Sequence, residues 1–143
     1  NINKARKFKQ IKKIILVYNK KDLKRVKSLK LKNVKMIVGG KTRQQSTFNA
    51  LKYLSRQKGL TKVLIHDVAR PNVSSKLIKN IIHNLKFHNA VIPAIKVSDS
   101  IKLKNQTGLT YNIDRKNLLI AQTPQGFRYK DIFKLHQKTK DFV

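Results

Sequence analysis

Apolar positions in this chain fall into short β-branched runs, separated by stretches with helical spacing. Lys13-Ile14-Ile15-Leu16-Val17-Tyr18 is the first run, and its continuity predicts a strand buried on both faces of a parallel sheet. A lysine-rich helical stretch from Lys21 to Leu29 leads to a second strand at Val34–Val38, which Gly39-Gly40 ends. Thr42 can cap a helix that carries Phe48, Leu51 and Leu54 at helical spacing. A third strand is predicted at Val63–His66, and Ser74 or Ser75 then caps a helix with Leu77, Ile78, Ile81, Ile82 and Leu85 on its buried side. Ala90–Ile95 reads as a fourth strand. Strands alternating with helices predict an α/β fold, a mostly parallel sheet with flanking helices.

The pattern changes after Ile95. Ser100–Leu103 and Leu109–Tyr111 are short extended pieces around the turn residues Asn105-Gln106-Thr107-Gly108, which predicts a projecting β-hairpin arm over about 96–115. An extended piece from Leu118 to Phe127 precedes a helix from about Lys130 to His136. The basic opening, Asn1–Lys7, reads as the tail of a helix. At 143 residues the chain is one domain's worth, long enough to bury a core.

Charge changes the picture less than its size suggests. Lys and Arg number 34 against 6 acidic residues, a net charge of +28, and all six acids are aspartates. Such a balance raises nucleic acid, an anionic membrane or a phosphorylated ligand as partners. The lysines are dispersed along the whole chain, however, and tryptophan is absent, so neither a basic stripe nor a set of stacking platforms marks a nucleic-acid surface. A compositional bias that enriches Lys, Asn and Ile together accounts for the charge. No cysteine is present, which excludes disulfides and thiol catalysis. There is no long apolar run, and the expectation is a cytoplasmic protein with no membrane partner.

Candidate chemistry concentrates in Lys62-Val63-Leu64-Ile65-His66-Asp67-Val68-Ala69-Arg70-Pro71. In α/β sheets the carboxyl ends of strands open onto the ligand crevice, which would put Asp67 and Arg70 at its mouth. A carboxylate there can accept from sugar-like hydroxyls, while a guanidinium can clamp a phosphate with two parallel bonds. Pro71 biases Arg70 toward an extended backbone. Asp99 and Asp114 also fall at strand ends or beside the hairpin, whereas Asp22, Asp131 and Asp141 lie on or beside surface helices. Taken singly, Asp67 and Asp114 read equally as lysine partners or turn braces.

Gly39-Gly40-Lys41-Thr42-Arg43-Gln44-Gln45-Ser46 joins a strand to a helix start, and free backbone amides there could face a base or a phosphate. It matches neither a phosphate-loop consensus nor a three-glycine dinucleotide fingerprint, so a tight turn explains it as well. The histidines His66, His83, His88 and His136 have no metal-site spacing. His83 and His136 read as helix-surface residues, and His66 as either a packed imidazole or a participant. No serine has a nucleophile-elbow context.

In order along the chain stand Gly39-Gly40 with Arg43 and Ser46, His66-Asp67-Val68-Ala69-Arg70-Pro71, Asp99-Ser100, Asp114-Arg115 and Gln122-Thr123-Pro124-Gln125. This ordered set resembles the 2-C-methyl-D-erythritol 4-phosphate cytidylyltransferase family from about Lys13 onward. The resemblance implies a Rossmann-like nucleotidyltransferase that joins CTP and methylerythritol phosphate, with Mg²⁺ on the triphosphate and pyrophosphate as the leaving product. Attack on the α-phosphate is in line in such enzymes, so positioning and charge stabilisation carry catalysis. By position, Gly39, Gly40, the Lys41 backbone and Ser46 would recognise cytosine. Asp67 and Val68 would lie near the ribose and substrate hydroxyls, and Arg70 would hold methylerythritol phosphate. Ser100, Arg115 and Thr123 would bind or position that substrate, with Ser100 and Arg115 reaching in from the partner subunit of a homodimer. Asp67, Arg70 and Arg115 are the expected catalytic group. The related ribitol phosphate enzymes share much of the scaffold and are the second reading, with a basic nucleic-acid module third.

Departures from the family pattern accompany the matches. The family's first strand leads into a glycine-rich loop carrying an arginine and a lysine, and that segment has no counterpart here. The threonine-aspartate-glutamate stretch and later lysine of the family's substrate site are also absent from these residues. The expectation is a fragment of a longer reading frame, in some relatives fused to a downstream enzyme of the same pathway. Because the family's first strand lies between those matching Ile14–Tyr18 and Val63–His66, its loss should leave a gap of ~10 Å and two unpaired apolar edges. The isolated polypeptide should then be poorly stable and close to inactive.

Overall fold

The computed structural model describes residues 1–139. Asp141, expected beside a surface helix, lies outside the described residues. In chain order the first elements are α1 (Ile2–Ala5), β1 (Ile14–Tyr18), α2 (Leu23–Ser28), β2 (Val34–Val38), α3 (Arg43–Leu54), β3 (Lys62–Ile65) and α4 (Ser75–Asn84). They are followed by β4 (Ala90–Val91), β5 (Ala94–Lys96), β6 (Ile101–Lys104), β7 (Thr110–Ile113), β8 (Leu119–Ala121), β9 (Gln125–Arg128) and α5 (Tyr129–Lys138). Helix starts follow local capping chemistry. The Thr42 hydroxyl accepts the Gln45 N–H at 3.1 Å and opens α3, and the Ser74 hydroxyl accepts the Leu77 N–H at 3.1 Å and opens α4. Asn19 does the same for a 3₁₀ turn at Lys20–Asp22, accepting the Lys21 N–H at 3.0 Å.

β1 and β2 pair in parallel, with Ile14 opposite Val34 and Tyr18 opposite Val38. β3, β9 and β4 form a separate sheet in that order, with β9 antiparallel to both neighbours. The α/β expectation holds, while the strand pairing is more antiparallel than the sequence pattern predicted. β3 and β4 still run in the same direction, as a crossover through α4 requires. The chain returning from the arm inserts β9 between them.

Two expected single strands are each broken. Ala90–Ile95 divides at Ile92-Pro93 into β4 and β5, which belong to different sheets. Proline has no N–H to offer a ladder, so a continuous central strand cannot pass through that position. Leu118–Phe127 likewise divides into β8 and β9 around Thr123-Pro124, whose peptide bond is cis. The arm is consequently two successive antiparallel ribbons, β5 with β8 and then β6 with β7. Asn105 closes its tip, its side-chain oxygen accepting the Thr107 and Leu109 N–H groups at 3.0 and 2.9 Å.

Burial is divided between two clusters. Phe8, Val73 and Ile78 pack with Ile11, Leu64, Leu77 and Ile82 on the α4 side, and Leu51, Leu54 and Tyr129 pack with Ile15, Val63, Ile132 and Phe133 on the α3–α5 side. The Tyr129 hydroxyl donates to the Leu51 carbonyl at 2.9 Å and ties α5 to α3. β1 and β3 share no ladder. The strands thus fall into separate sheets, β1 with β2 and β3 with β9 and β4, among the described residues.

Candidate active site

The carboxyl end of β3 delivers His66 and the turn Asp67–Arg70. The Arg70 N–H donates to the Asp67 carbonyl at 3.1 Å and closes that turn. Asp67 faces α3, where the Arg43 guanidinium donates to one carboxylate oxygen through Nε at 3.1 Å and through a terminal nitrogen at 3.0 Å. Both donors fall on the same oxygen, so the other oxygen is left for a ligand hydroxyl. Arg70 is exposed, and its guanidinium donates to the Gln122 side-chain oxygen. Val68 stands 73% exposed beside them. These contacts bring Asp67, Arg70 and the Gln122-Thr123 segment together as the sequence order suggested.

Thr123 is buried behind the turn. Its hydroxyl oxygen accepts the Asp67 N–H at 3.2 Å and lies 3.0 Å from His66 Nδ1. The other ring nitrogen of His66, Nε2, lies 3.1 Å from the Arg70 carbonyl. Burial lowers the His66 pKa below its ordinary 6.5, opposed by the bond to Arg70 and by the Asp67 carboxylate.

The second part of the site follows β2. A cleft of about 400 Å³ is lined by Asn19, Lys20, Gly39, Gly40, Lys41, Gln45 and Asn49. The amides expected to be free are occupied here. Gly39 N–H donates to the Tyr18 carbonyl at 2.8 Å, Gly40 N–H to the Ser46 hydroxyl at 3.0 Å and Lys41 N–H to the Gln45 side-chain oxygen at 2.8 Å. The carbonyls of Gly40 and Lys41 accept no hydrogen bond among the described residues. What the loop offers a base is therefore acceptors, with the Ser46 proton as a donor. A Cβ at Gly40 would lie 2.3 Å from Gln45 Cγ, so any larger residue there must displace the Gln45 side chain that accepts the Lys41 N–H.

Ser100 and Arg115 sit apart from this cluster, on the arm. Arg115 donates to the Ser98 carbonyl, and Asp114 braces a 3₁₀ turn at Arg115–Asn117 by accepting the Lys116 N–H at 3.0 Å. Ser98 reaches Asp99 at 3.4 Å, and Ser100 is exposed. These polar contacts stay within the arm. His136 differs from its expectation as a surface residue. Its ring stacks on Phe48 at 6.3 Å, its Nδ1 is buried without a partner among the described residues, and burial lowers its pKa below 6.5. His83 lies on the helix surface as expected, edge-on to Phe87.

The profile of the 2-C-methyl-D-erythritol 4-phosphate cytidylyltransferase family matches residues 1–142. The chain belongs to this family. A bifunctional enzyme IspD/IspF of Pelagibacter ubique is 42% identical over 143 residues, covering 100% of this chain and 38% of its own length. A 2-C-methyl-D-erythritol 4-phosphate cytidylyltransferase of Clostridium botulinum (strain Loch Maree) is 44% identical over 107 residues, 74% of this chain and 46% of its own. The crystal structure of a 4-diphosphocytidyl-2C-methyl-D-erythritol synthase from Anaerococcus prevotii superposes with a TM-score of 0.85 at 32% identity, over 99% of this chain and 65% of that one. The bifunctional IspDF of Campylobacter jejuni gives 0.79 at 28%, over 99% and 35%. The chain thus spans less than half the length of these two curated relatives.

Within this cytidylyltransferase framework, sequence reasoning located the Asp67–Arg70 turn and the glycine loop. It gave no role to Arg43, His66, Gln45 or Gln122, which bond to Asp67, to the Lys41 N–H, or to Arg70 and Thr123. Arg43 and Gln122 stood inside the matched motifs and could have been found there. His66 stood there too, but its bond to Thr123 joins residues 57 positions apart and left no local sign of what the ring does.

Proposed function

We propose that this chain carries the nucleotide- and polyol-binding face of an enzyme joining CTP and 2-C-methyl-D-erythritol 4-phosphate. One observation carries the reading. Arg43, at the start of the helix that follows the glycine loop, is ion-paired to Asp67, so the nucleotide loop and the polyol-phosphate turn are two sides of one crevice. Cytosine differs from uracil in offering an amino donor at its pairing edge, and the open Gly40 and Lys41 carbonyls are suited to accept it. The free oxygen of Asp67 suits a ribose or polyol hydroxyl, and the Arg70 guanidinium suits the substrate phosphate.

In the reaction, an oxygen of the polyol phosphate forms a bond to the α-phosphorus of CTP as the bond to the bridging α–β oxygen breaks, and pyrophosphate leaves with that electron pair. A phosphate monoester is already an anionic nucleophile, so no side chain has to remove a proton from it. Arg70 orients the attacking phosphate and Asp67 fixes the hydroxyl-bearing carbons. Among the described residues no three His, Cys, Asp or Glu side chains gather as metal ligands. Mg²⁺ is assigned to the triphosphate oxygens, where it would neutralise charge.

The arm completes the proposal. Ile95, Leu103, Leu109, Tyr111, Leu119 and Ile120 are large apolar side chains exposed on its two ribbons. We assign them to the contact of a homodimer, in which Ser100 and Arg115 enter the partner's site. Mixing an Arg115→Ala protein with an Arg70→Ala protein tests this, because mixed dimers rebuild one intact site. Recovery of activity is expected, and its absence at a verified subunit exchange overturns the shared site. The decisive assay is pyrophosphate release from CTP, Mg²⁺ and methylerythritol phosphate, run beside ribitol phosphate. Turnover of the first substrate by the intact protein, and background rates from the 143-residue polypeptide, are expected. A preference for ribitol phosphate would move the assignment to that activity.

A further inference from the structure

We propose that His66 is a positioning residue, holding the two ligand-bearing ends of the Asp67–Arg70 turn through a single neutral imidazole in its Nε2–H form. The proposal rests on the cytidylyltransferase reading for its kinetic consequence, but its bonding can be tested separately. A backbone carbonyl has no proton to give, so the 3.1 Å approach of His66 Nε2 to the Arg70 carbonyl requires the proton on Nε2. In a neutral ring Nδ1 is then an acceptor. It lies 3.0 Å from the Thr123 hydroxyl, which must point its proton at the ring. With that proton committed, the hydroxyl oxygen is free to accept, and the Asp67 N–H is donated to it at 3.2 Å.

Three hydrogen bonds thus run in one direction, from Asp67 N–H through Thr123 and His66 to the Arg70 carbonyl. Every group in the series has its proton fixed by its neighbours, and Thr123, the middle member, is 7% exposed. The main chain at both ends of the turn is tied down from behind, which leaves the Asp67 carboxylate and the Arg70 guanidinium to face the crevice. A protonated ring would present Nδ1–H to the Thr123 oxygen and turn the hydroxyl proton away from its only acceptor in the series. Burial, the largest influence on His66, opposes that state, as does the Arg70 guanidinium, while the Arg70 carbonyl and the Asp67 carboxylate favour it.

The experiment compares the intact protein with its His66→Ala, His66→Gln and Thr123→Val variants, using CTP and methylerythritol phosphate as the varied substrates. His66→Ala and Thr123→Val are each expected to raise KM for the polyol phosphate by on the order of tenfold, with KM for CTP moving by less than about twofold. His66→Gln keeps a donor for the Arg70 carbonyl and should recover part of the loss. The double variant His66→Ala/Thr123→Val should be no worse than either single one. Equal changes in both KM values with a matching fall in melting temperature would mean a general structural role and would overturn the proposal, as would an unchanged polyol phosphate KM. If the unsubstituted protein releases no pyrophosphate, the cytidylyltransferase reading fails instead. The ring is then judged by its ¹⁵N spectrum at neutral pH, where a protonated Nδ1 overturns the proposal and a protonated Nε2 supports it.

Discussion

Arg43 and Asp67 show how little stability an ion pair can carry while still mattering to a site. Their side chains are 60% and 35% exposed, a setting in which such pairs contribute about 0–1 kcal/mol. Arg43→Ala should therefore leave chemical denaturation nearly unchanged, yet lower kcat/KM by on the order of tenfold, because Asp67 loses the donors that aim its second oxygen. Parallel loss of stability and activity would refute this separation. Two histidines set the response to acid. Burial lowers the pKa of both His66 and His136 below 6.5, so the unfolded chain binds their protons more readily than the folded one. The sign follows directly: their contribution is present above pH 6.5 and is lost as pH falls through the lowered values. Melting temperature should decline on acidification from about pH 7 to pH 5, and His136→Phe, which keeps the stack on Phe48, should flatten that decline. At this scale the sequence pointed to the turn Asp67–Arg70 and to Thr123, which the structure brings together through the Arg70–Gln122 and Asp67–Thr123 bonds. It left the role of His66 open, since a hydrogen bond between residues 57 positions apart leaves no local trace.

Elements were legible where a local rule determines them. Thr42 and Ser74 cap helices as capping chemistry predicts, and the runs at β1, β2 and β3 became strands within one residue or two of their expected ends. The sequence was less informative where the partner decides. Gln125–Arg128 reads as an extended tail, and only the packing of α4 shows why it belongs at the centre of a sheet. Gly126 lies directly beneath that helix. A Cβ added there would approach Ile81 Cγ2 to 2.5 Å and Leu85 Cδ1 to 2.7 Å, and both neighbours are fully buried. Neither can swing into solvent. Gly126→Ala should thus cost about 1–3 kcal/mol through overpacking, measurable as a shift of the denaturation midpoint. Gly108→Ala makes a control of different origin, because the residue has φ +88° and a Cβ there would meet only the end of the Lys104 side chain at 4.0 Å, so a loss there reflects backbone strain.

Across the whole molecule the balance of charge and apolar exposure points to surfaces that are completed by something else. Thirteen large apolar side chains are exposed among the described residues and nine are buried, with others half-buried against the two clusters. Several of the exposed ones line the arm, and β1 and β3 belong to different sheets. The same chain carries a net charge of +28 with a single ion pair among the described residues. Repulsion between cations then acts over the whole surface and opposes compaction, at a range of about 10 Å in 0.1 M salt that shrinks to about 3 Å at 1 M. Added sodium chloride should therefore raise the melting temperature between 0.05 and 0.5 M, the ions screening repulsion that few internal pairs offset. Pyrophosphate or CTP should stabilise at far lower concentration, since binding to the folded crevice adds by mass action while diffuse screening does not. The two effects separate in one experiment. If CTP stabilises the Arg70→Ala and Gly40→Ala variants as much as the unsubstituted protein, the nucleotide is acting as a general polyanion on a basic surface. Loss of its effect in Gly40→Ala alone would place the base in the loop after β2.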